Sequence, residues 1–383
     1  MGASVNRGQA WKSFLTQPAI PVSSQDQFWS NMCKWISAGK VVPVISGSLV
    51  YDHIFSELTG GDAEGEEGCA PSKMNAQNAL AMIWANCVPY PLPDSTELAR
   101  VAQYVRSKSK SIADSKQSYL DFLKSFLLEY AAQISGDSAR SAELLESIDE
   151  YSFTELAVQE LELVQIGPGC SDPISVLASL PLPVYVTTSY HNVLEHALIA
   201  FGKEPVSQVC FWSGPLPLAN EYTHIEQLTA NPQTPLVYHL YGMERFPLTL
   251  VLGEDDYLDF LIRVTADQGK PDSILPSYLI NAFKLNLLIM LGYRLYDWDF
   301  RTLFRGIISA RDRQDMTFTN TIIQLSLNDQ YQVSRDEQMR ESIDQVQEYL
   351  QDYYNPMAFE IRWSNSSAFL ETLQKEWKNR RQK

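Results

Sequence analysis

From Pro173 onward the sequence alternates short apolar runs with amphipathic helical patterns, and this constrains the fold more than any other feature. "PISVLASL" reads as helix, "PVYVTT" as strand, "YHNVLEHALIAFG" as helix, and "VSQVCFW" and "LVYHLYG" as strands. "EDDYLDFLIRV" is helical, and the apolar segment that follows Pro276, "YLINAFKLNLLIMLGY", reads as a long core helix. Strand "NTIIQLSL", a helix ending in "QEYLQDYY", strand "AFEIRWS" and a last helix complete the series. An earlier run, Val41 to Ile45, adds a buried strand that leads into Ser46-Gly47-Ser48, a turn of small residues. Strands in this rhythm need crossover helices, so the pattern predicts an α/β fold with a parallel sheet and helices on both faces. Ligands of such sheets bind at the carboxyl ends of the strands.

Between these strands, residues 72–165 carry helical spacing throughout, which predicts a helical insertion after the first strand. Residues 1–26 are polar with Pro18 and Pro21 and read as an N-terminal arm, leaving residues 27–383 as the main domain. Trp11, Phe14, Trp29 and Trp35 either anchor a subunit interface or pack within the chain. "GGDAEGEEG" has no apolar content and reads as an acidic loop. With 46 acidic residues against 30 basic, the net charge of −16 gives no general attraction to phosphate backbones, so nucleic acid is not the expected partner. The five cysteines are scattered without metal-ligand spacing, which predicts reduced thiols, no metal and a cytoplasmic protein. No segment has the length and apolarity expected of a membrane span or the core of a signal peptide.

Four segments fall where the architecture would place a site: "VPVISGS", "VTTSYHN", "YHLYGM" and "LGYRLYDWDF". In this order, and with "LVLGEDDYLDFL", they resemble the motifs of bacterial sirtuin-like domains of antiphage defence systems, over about residues 27 to 365. The resemblance implies a Rossmann-like sheet and NAD as substrate or ligand. It also implies a G-A-G turn against the cofactor phosphates, a T-T-N-Y-D asparagine for the nicotinamide ribose, an L-H-G catalytic histidine and a supporting L-G-Y-S-x-x-D. Carried over, the turn is Ser46-Gly47-Ser48, Thr188 is kept, the asparagine becomes Ser189 and the acidic residue His191. The histidine becomes Tyr241, between the retained Leu240 and Gly242, and the last motif keeps Gly292, Tyr293 and Asp297 with Arg294 for serine. The implied cofactor contacts are therefore Ser46, Gly47, Ser48, Thr188, Gly242 and Asp297.

A phenol with a pKa near 10 is a poor base at neutral pH, since forming its anion costs roughly 4 kcal/mol. Serine lacks the amide that would hold a ribose hydroxyl and a water together, and serines flanking Gly47 add Cβ atoms where a pyrophosphate needs room. Strand periodicity places His239 on the same face as Tyr241, about 6 to 7 Å away, so His239 and Asn192 are the possible substitutes for the missing groups. The bland alternatives are a core histidine and a helix cap. Glu254, Asp255 and Asp256 read as the acidic first turn of a helix. The resulting expectation is a catalytically degenerate assembly or sensing subunit, as a homo-oligomer or with other defence subunits. The alternative is an active NAD glycohydrolase with a rearranged site, and a third reading has NAD bound without turnover.

Overall fold

The computed structural model describes residues 25–59, 75–213, 230–266, 274–295, 297–308, 320–324, 337–354 and 359–381. The acidic stretch 60–68, Trp11, Phe14 and all of the predicted arm except Gln25 and Asp26 lie outside the described residues. The described residues open with α1 (Gln25–Ser37), β1 (Val41–Ile45), α2 (Ser48–Ile54) and α3 (Ser56–Thr59). A helical stretch follows: α4 (Ala76–Cys87), α5 (Leu98–Lys108), α6 (Ile112–Ser135) and α7 (Ser138–Glu146). The alternating part runs α8 (Pro173–Ser179), β2 (Val184–Thr187), α9 (Val193–Ala200), β3 (Val206–Val209), β4 (Leu236–His239), α10 (Glu254–Ala266) and α11 (Ser277–Leu285). It ends with β5 (Leu287–Leu291), α12 (Trp298–Leu303), β6 (Asn320–Gln324), α13 (Glu337–Tyr354), β7 (Phe359–Trp363) and α14 (Ser366–Arg381).

The seven strands of the described residues form one parallel sheet in the order β3-β4-β2-β1-β5-β6-β7. The α/β parallel architecture expected from the alternation is therefore what the chain adopts. Helices flank the sheet in two mutually packed sets, one containing α1, α8, α9 and α14, the other α4, α5, α6, α10 and α12. Strand β1 is central and all five of its residues are buried. Its ladder to β5 spans Val41 to Ile45, whereas its ladder to β2 covers only Val44 and Ile45. Pro43 explains the short one, because it has no N–H to contribute.

One element departs from the sequence reading. The apolar segment after Pro276 is not one helix: α11 stops at Leu285, and Leu287–Leu291 is a buried strand between β1 and β6. Asn286 makes the break. Its backbone is extended and its side-chain Nδ2 donates to the Ala282 carbonyl at 2.8 Å, ending the helix there. A short run of Leu, Ile and Met has no periodicity that separates strand from helix, and only pairing on both edges decides it. Trp29 and Trp35 pack partly buried against the core, with the Trp29 ring 5.2 Å from that of Phe369 on α14.

Ion pairs join the helical stretch to α10. Arg100 reaches Glu254 at 3.2 Å, Arg106 reaches Asp256 at 3.5 Å, and Lys116 reaches Asp256 at 3.3 Å. Lys116 is buried and also donates to the Leu250 carbonyl. Asp256 Oδ2 accepts the main-chain N–H groups of Leu252 and Gly253, both at 3.1 Å, so the three acidic residues form a capped helix start, as their spacing predicts.

Candidate functional site

The parallel register aligns Leu291, Ile45, Thr187 and His239 along the carboxyl edge of the sheet. The sheet's order turns around β1, where the chain goes first to β2 and later to β5, and this is the crevice at which α/β sheets place ligands. A cavity of about 20 Å³ lies there. Ser46, Gly47, Thr188, Ser189 and Tyr241 line it, so the ends of β1, β2 and β4 bring these five expected positions together. Ser48, Asn192, His239, Gly242 and Asp297 are not among its lining residues.

Ser46 and Ser48 are buried, and their polar atoms are engaged within the protein. The Ser46 hydroxyl donates to Asp299 Oδ2 at 3.1 Å, the Ser48 N–H donates back to Ser46 Oγ at 3.3 Å, and the Ser48 hydroxyl donates to Gln77. Gly47 has an ordinary helical φ of −56°, and a Cβ there would sit 3.4 Å from the Tyr51 ring, an ordinary contact. Thr188 Oγ1 pairs with the Tyr293 hydroxyl at 2.9 Å. The Ser189 N–H donates to Thr187 Oγ1 at 3.0 Å, and the Thr187 hydroxyl lies 2.9 Å from Ser189 Oγ.

Tyr241 is buried, and its hydroxyl donates to the Asp299 main-chain carbonyl at 2.7 Å. Burial, then the charge of Asp299, holds its pKa well above the ordinary value. The phenol is thus a neutral donor with its proton already in use. Gly242 makes the turn out of β4. Its φ is +89°, and a Cβ would lie 2.4 Å from the Thr249 carbonyl group, so only glycine fits. Gly292, at φ +77°, plays the same part after β5, with a Cβ placed 2.9 Å from the Leu49 nitrogen.

Sequence reasoning passed over Asp299 and four of the tyrosines. Tyr51, Tyr119, Tyr190 and Tyr257 join Tyr241 around the cavity, and no Lys, Arg or His is among the lining residues. The Tyr190 hydroxyl donates to the Val251 carbonyl at 2.6 Å, whereas the buried Tyr119 hydroxyl has no hydrogen-bond partner among the described residues. Asp299 closes the floor, its Oδ1 accepting the Phe300 N–H at 2.6 Å. Burial pushes the carboxyls of Asp299 and Asp297 above their usual range, with Asp299 adding to the shift of Asp297. Arg294 is half-buried, and burial lowers its pKa against the opposing pull of Asp297, Asp52 and Asp299. The visible signals were the position of Asp299 two residues after Asp297 and that of Tyr190 within "VTTSYHN"; Tyr51, Tyr119 and Tyr257, on helices, carried none.

His239 and Tyr241 engage different elements in spite of their spacing. His239 is fully buried, with Nε2 2.6 Å from Glu195 Oε1 on α9 and Nδ1 3.2 Å from the Ser189 carbonyl. Asn192 precedes α9 without capping it: its N–H donates to Thr154 Oγ1 at 3.1 Å, and its side-chain oxygen is buried without a partner among the described residues. His191 lies between Phe153 and Tyr51, whose rings are 5.2 and 5.5 Å from its own, and neither of its nitrogens has a hydrogen-bond partner among the described residues. Burial, then His239, pushes its pKa down to about 3, so it packs as a neutral aromatic ring.

Residues 183–354 match the SIR2-like domain family. The match takes in β2 to β6 and α13, and with them the ends of β2, β4 and β5 that carry Ser189, Tyr241 and Asp297. No curated protein matches the chain. Among the described residues there is no group of three or more His, Cys, Asp or Glu able to hold a metal, and no helix long and apolar enough to cross a membrane.

SIR2-like domains in general take NAD, and the residues present do not fit it. About 20 Å³ is room for little more than a water, whereas small-molecule sites run to several hundred. Ser46 Oγ, which a pyrophosphate would use, already donates to a carboxylate of the same sign as the phosphate. The described lining offers no cation to offset that charge.

Proposed function

We propose that this chain carries a SIR2-like domain whose NAD-cleaving chemistry has been lost and that it acts as an assembly subunit of a bacterial antiphage defence system. One observation carries the reading: Tyr241 stands at the end of β4 with its hydroxyl bonded to the Asp299 carbonyl, beside a cavity too small for a dinucleotide. General-base catalysis needs a lone pair aimed at the reacting group and a pKa near the working pH. A phenol whose pKa is held far above neutral supplies neither. Ser189 weakens the case for turnover independently, because its hydroxyl lies against Thr187 and has no amide to hold a ribose and a water. In the assembly reading the fold is retained as a scaffold, in a homo-oligomer or with other defence subunits, in the cytoplasm.

Incubating the purified protein with NAD and following free nicotinamide tests the proposal. Release no faster than in a protein-free blank is expected, alone or with the products of neighbouring genes. Turnover by the chain alone would overturn it. Light scattering of the full chain is expected to give a mass above that of the 43.4 kDa monomer.

A further inference from the structure

The buried group around His239 is not used by the cavity, and its geometry fixes a proton count. Nδ1 faces the Ser189 carbonyl oxygen at 3.2 Å, and a carbonyl oxygen can only accept. Nε2 faces Glu195 Oε1 at 2.6 Å. A neutral imidazole has one N–H, so two acceptors on opposite sides call for two protons on the ring. The remaining possibility is that the shared proton sits on Glu195. Against it, Ser207 donates its hydroxyl to the same Glu195 oxygen at 2.8 Å, an arrangement that favours the carboxylate. We propose that His239 is a standing imidazolium paired with Glu195, and that it is a positioning residue which holds the Ser189 main chain at the wall of the cavity.

The surrounding groups agree. Burial works against the charge of His239, and Glu195, by its charge and hydrogen bond, with the Ser189 carbonyl, outweighs it and raises the pKa. Burial likewise opposes ionisation of Glu195, and His239 and Ser207 outweigh it in the other direction. The other titratable groups facing the ring are His191 in the loop before α9 and Glu244 after β4. His191 is neutral, its pKa near 3. Glu244, brought up to about 7 by burial, accepts the Phe153 N–H at 3.0 Å. Ser189 is where the strut acts: its Cα lies 3.6 Å from the place a Cβ on Gly47 would take, so moving its peptide moves the cavity wall.

A ring with both nitrogens donating has no lone pair, so His239 cannot serve as a base where it stands. The assignment does not rest on the cavity's silence towards NAD: the pair would position Ser189 in an active enzyme as well.

Nitrogen-15 NMR of histidine-labelled full chain reads the proton count directly, with the five histidines assigned by substituting the other four in turn. Both His239 nitrogens are expected to be protonated at pH 7 to 8, with no titration across the ordinary histidine range near 6.5. A ring with one bare nitrogen at pH 7, or one titrating near 6.5, would overturn the proposal. In Glu195→Gln the carboxylate charge is removed while the shape is kept. There His239 is expected to lose its second proton by pH 7, and a ring still doubly protonated would contradict the pairing.

Discussion

Strand β4 ends in two buried sites of opposite character, two residues apart. Tyr241 faces a cavity walled by tyrosines with one carboxylate and no cation, and every distance there involves neutral or singly anionic groups. His239 is fully buried with Nε2 2.6 Å from Glu195, and neither residue lines that cavity. The difference teaches that strand facing alone does not assign a side chain to a site. Spacing by two puts both rings on one side of an extended chain, yet β4 ends at His239, Leu240 and Tyr241 already lie in a turn, and Gly242, in its left-handed conformation, carries the chain on towards Thr249. Thereafter α9 receives the imidazole, and α10 and α12 receive the phenol.

Breaking the charged side should cost most. Glu195→Ala leaves a buried imidazolium without its partner, and destabilisation of about 3 to 5 kcal/mol is expected in denaturant unfolding. Gly242→Ala attacks the turn that separates the two sites. The left-handed φ and the contact with the Thr249 backbone set an expected loss of about 2 to 4 kcal/mol by the same measurement. Tyr241→Phe breaks the cavity side and removes one buried hydrogen bond from the Asp299 carbonyl, a loss of about 1 kcal/mol.

The pH profile sharpens the contrast. His239, raised above its ordinary 6.5, contributes stability that is complete below that value and lost as pH rises through its folded pKa. Glu195, lowered below 4.5, contributes stability present above that value and lost as pH falls through its folded pKa. His191, lowered to about 3, adds a loss as pH falls from 6.5 towards 3. Unfolding midpoints measured across pH should therefore decline on both sides, and Glu195→Gln should flatten the part of the alkaline decline that belongs to His239.

Much of this architecture is legible in the sequence, for identifiable reasons. Val41–Ile45, Val184–Thr187 and Leu236–His239 are short, apolar and bounded by small or turn residues, so the sheet and the residues at its edge follow. Leu287–Leu291 is not, because its Leu-Ile-Met run is equally good core helix until β1 and β6 pair with it. Asp299 stands two residues beyond the aspartate on which the site motif ends. Tyr51, Tyr119 and Tyr257 come from helices far apart in sequence, whose convergence only tertiary packing reveals. Glu195 did leave a trace: it is a carboxylate within a mostly apolar helical segment, and a buried charge requires a partner.

Calorimetric titration of NAD into the full chain measures most directly whether the end of β4 still forms a dinucleotide site. With the Ser46 hydroxyl given to Asp299 and the Tyr241 phenol beside about 20 Å³ of space, no binding heat is expected at millimolar NAD. Saturable one-to-one binding that Tyr241→Phe or Asp299→Asn alters would contradict the account.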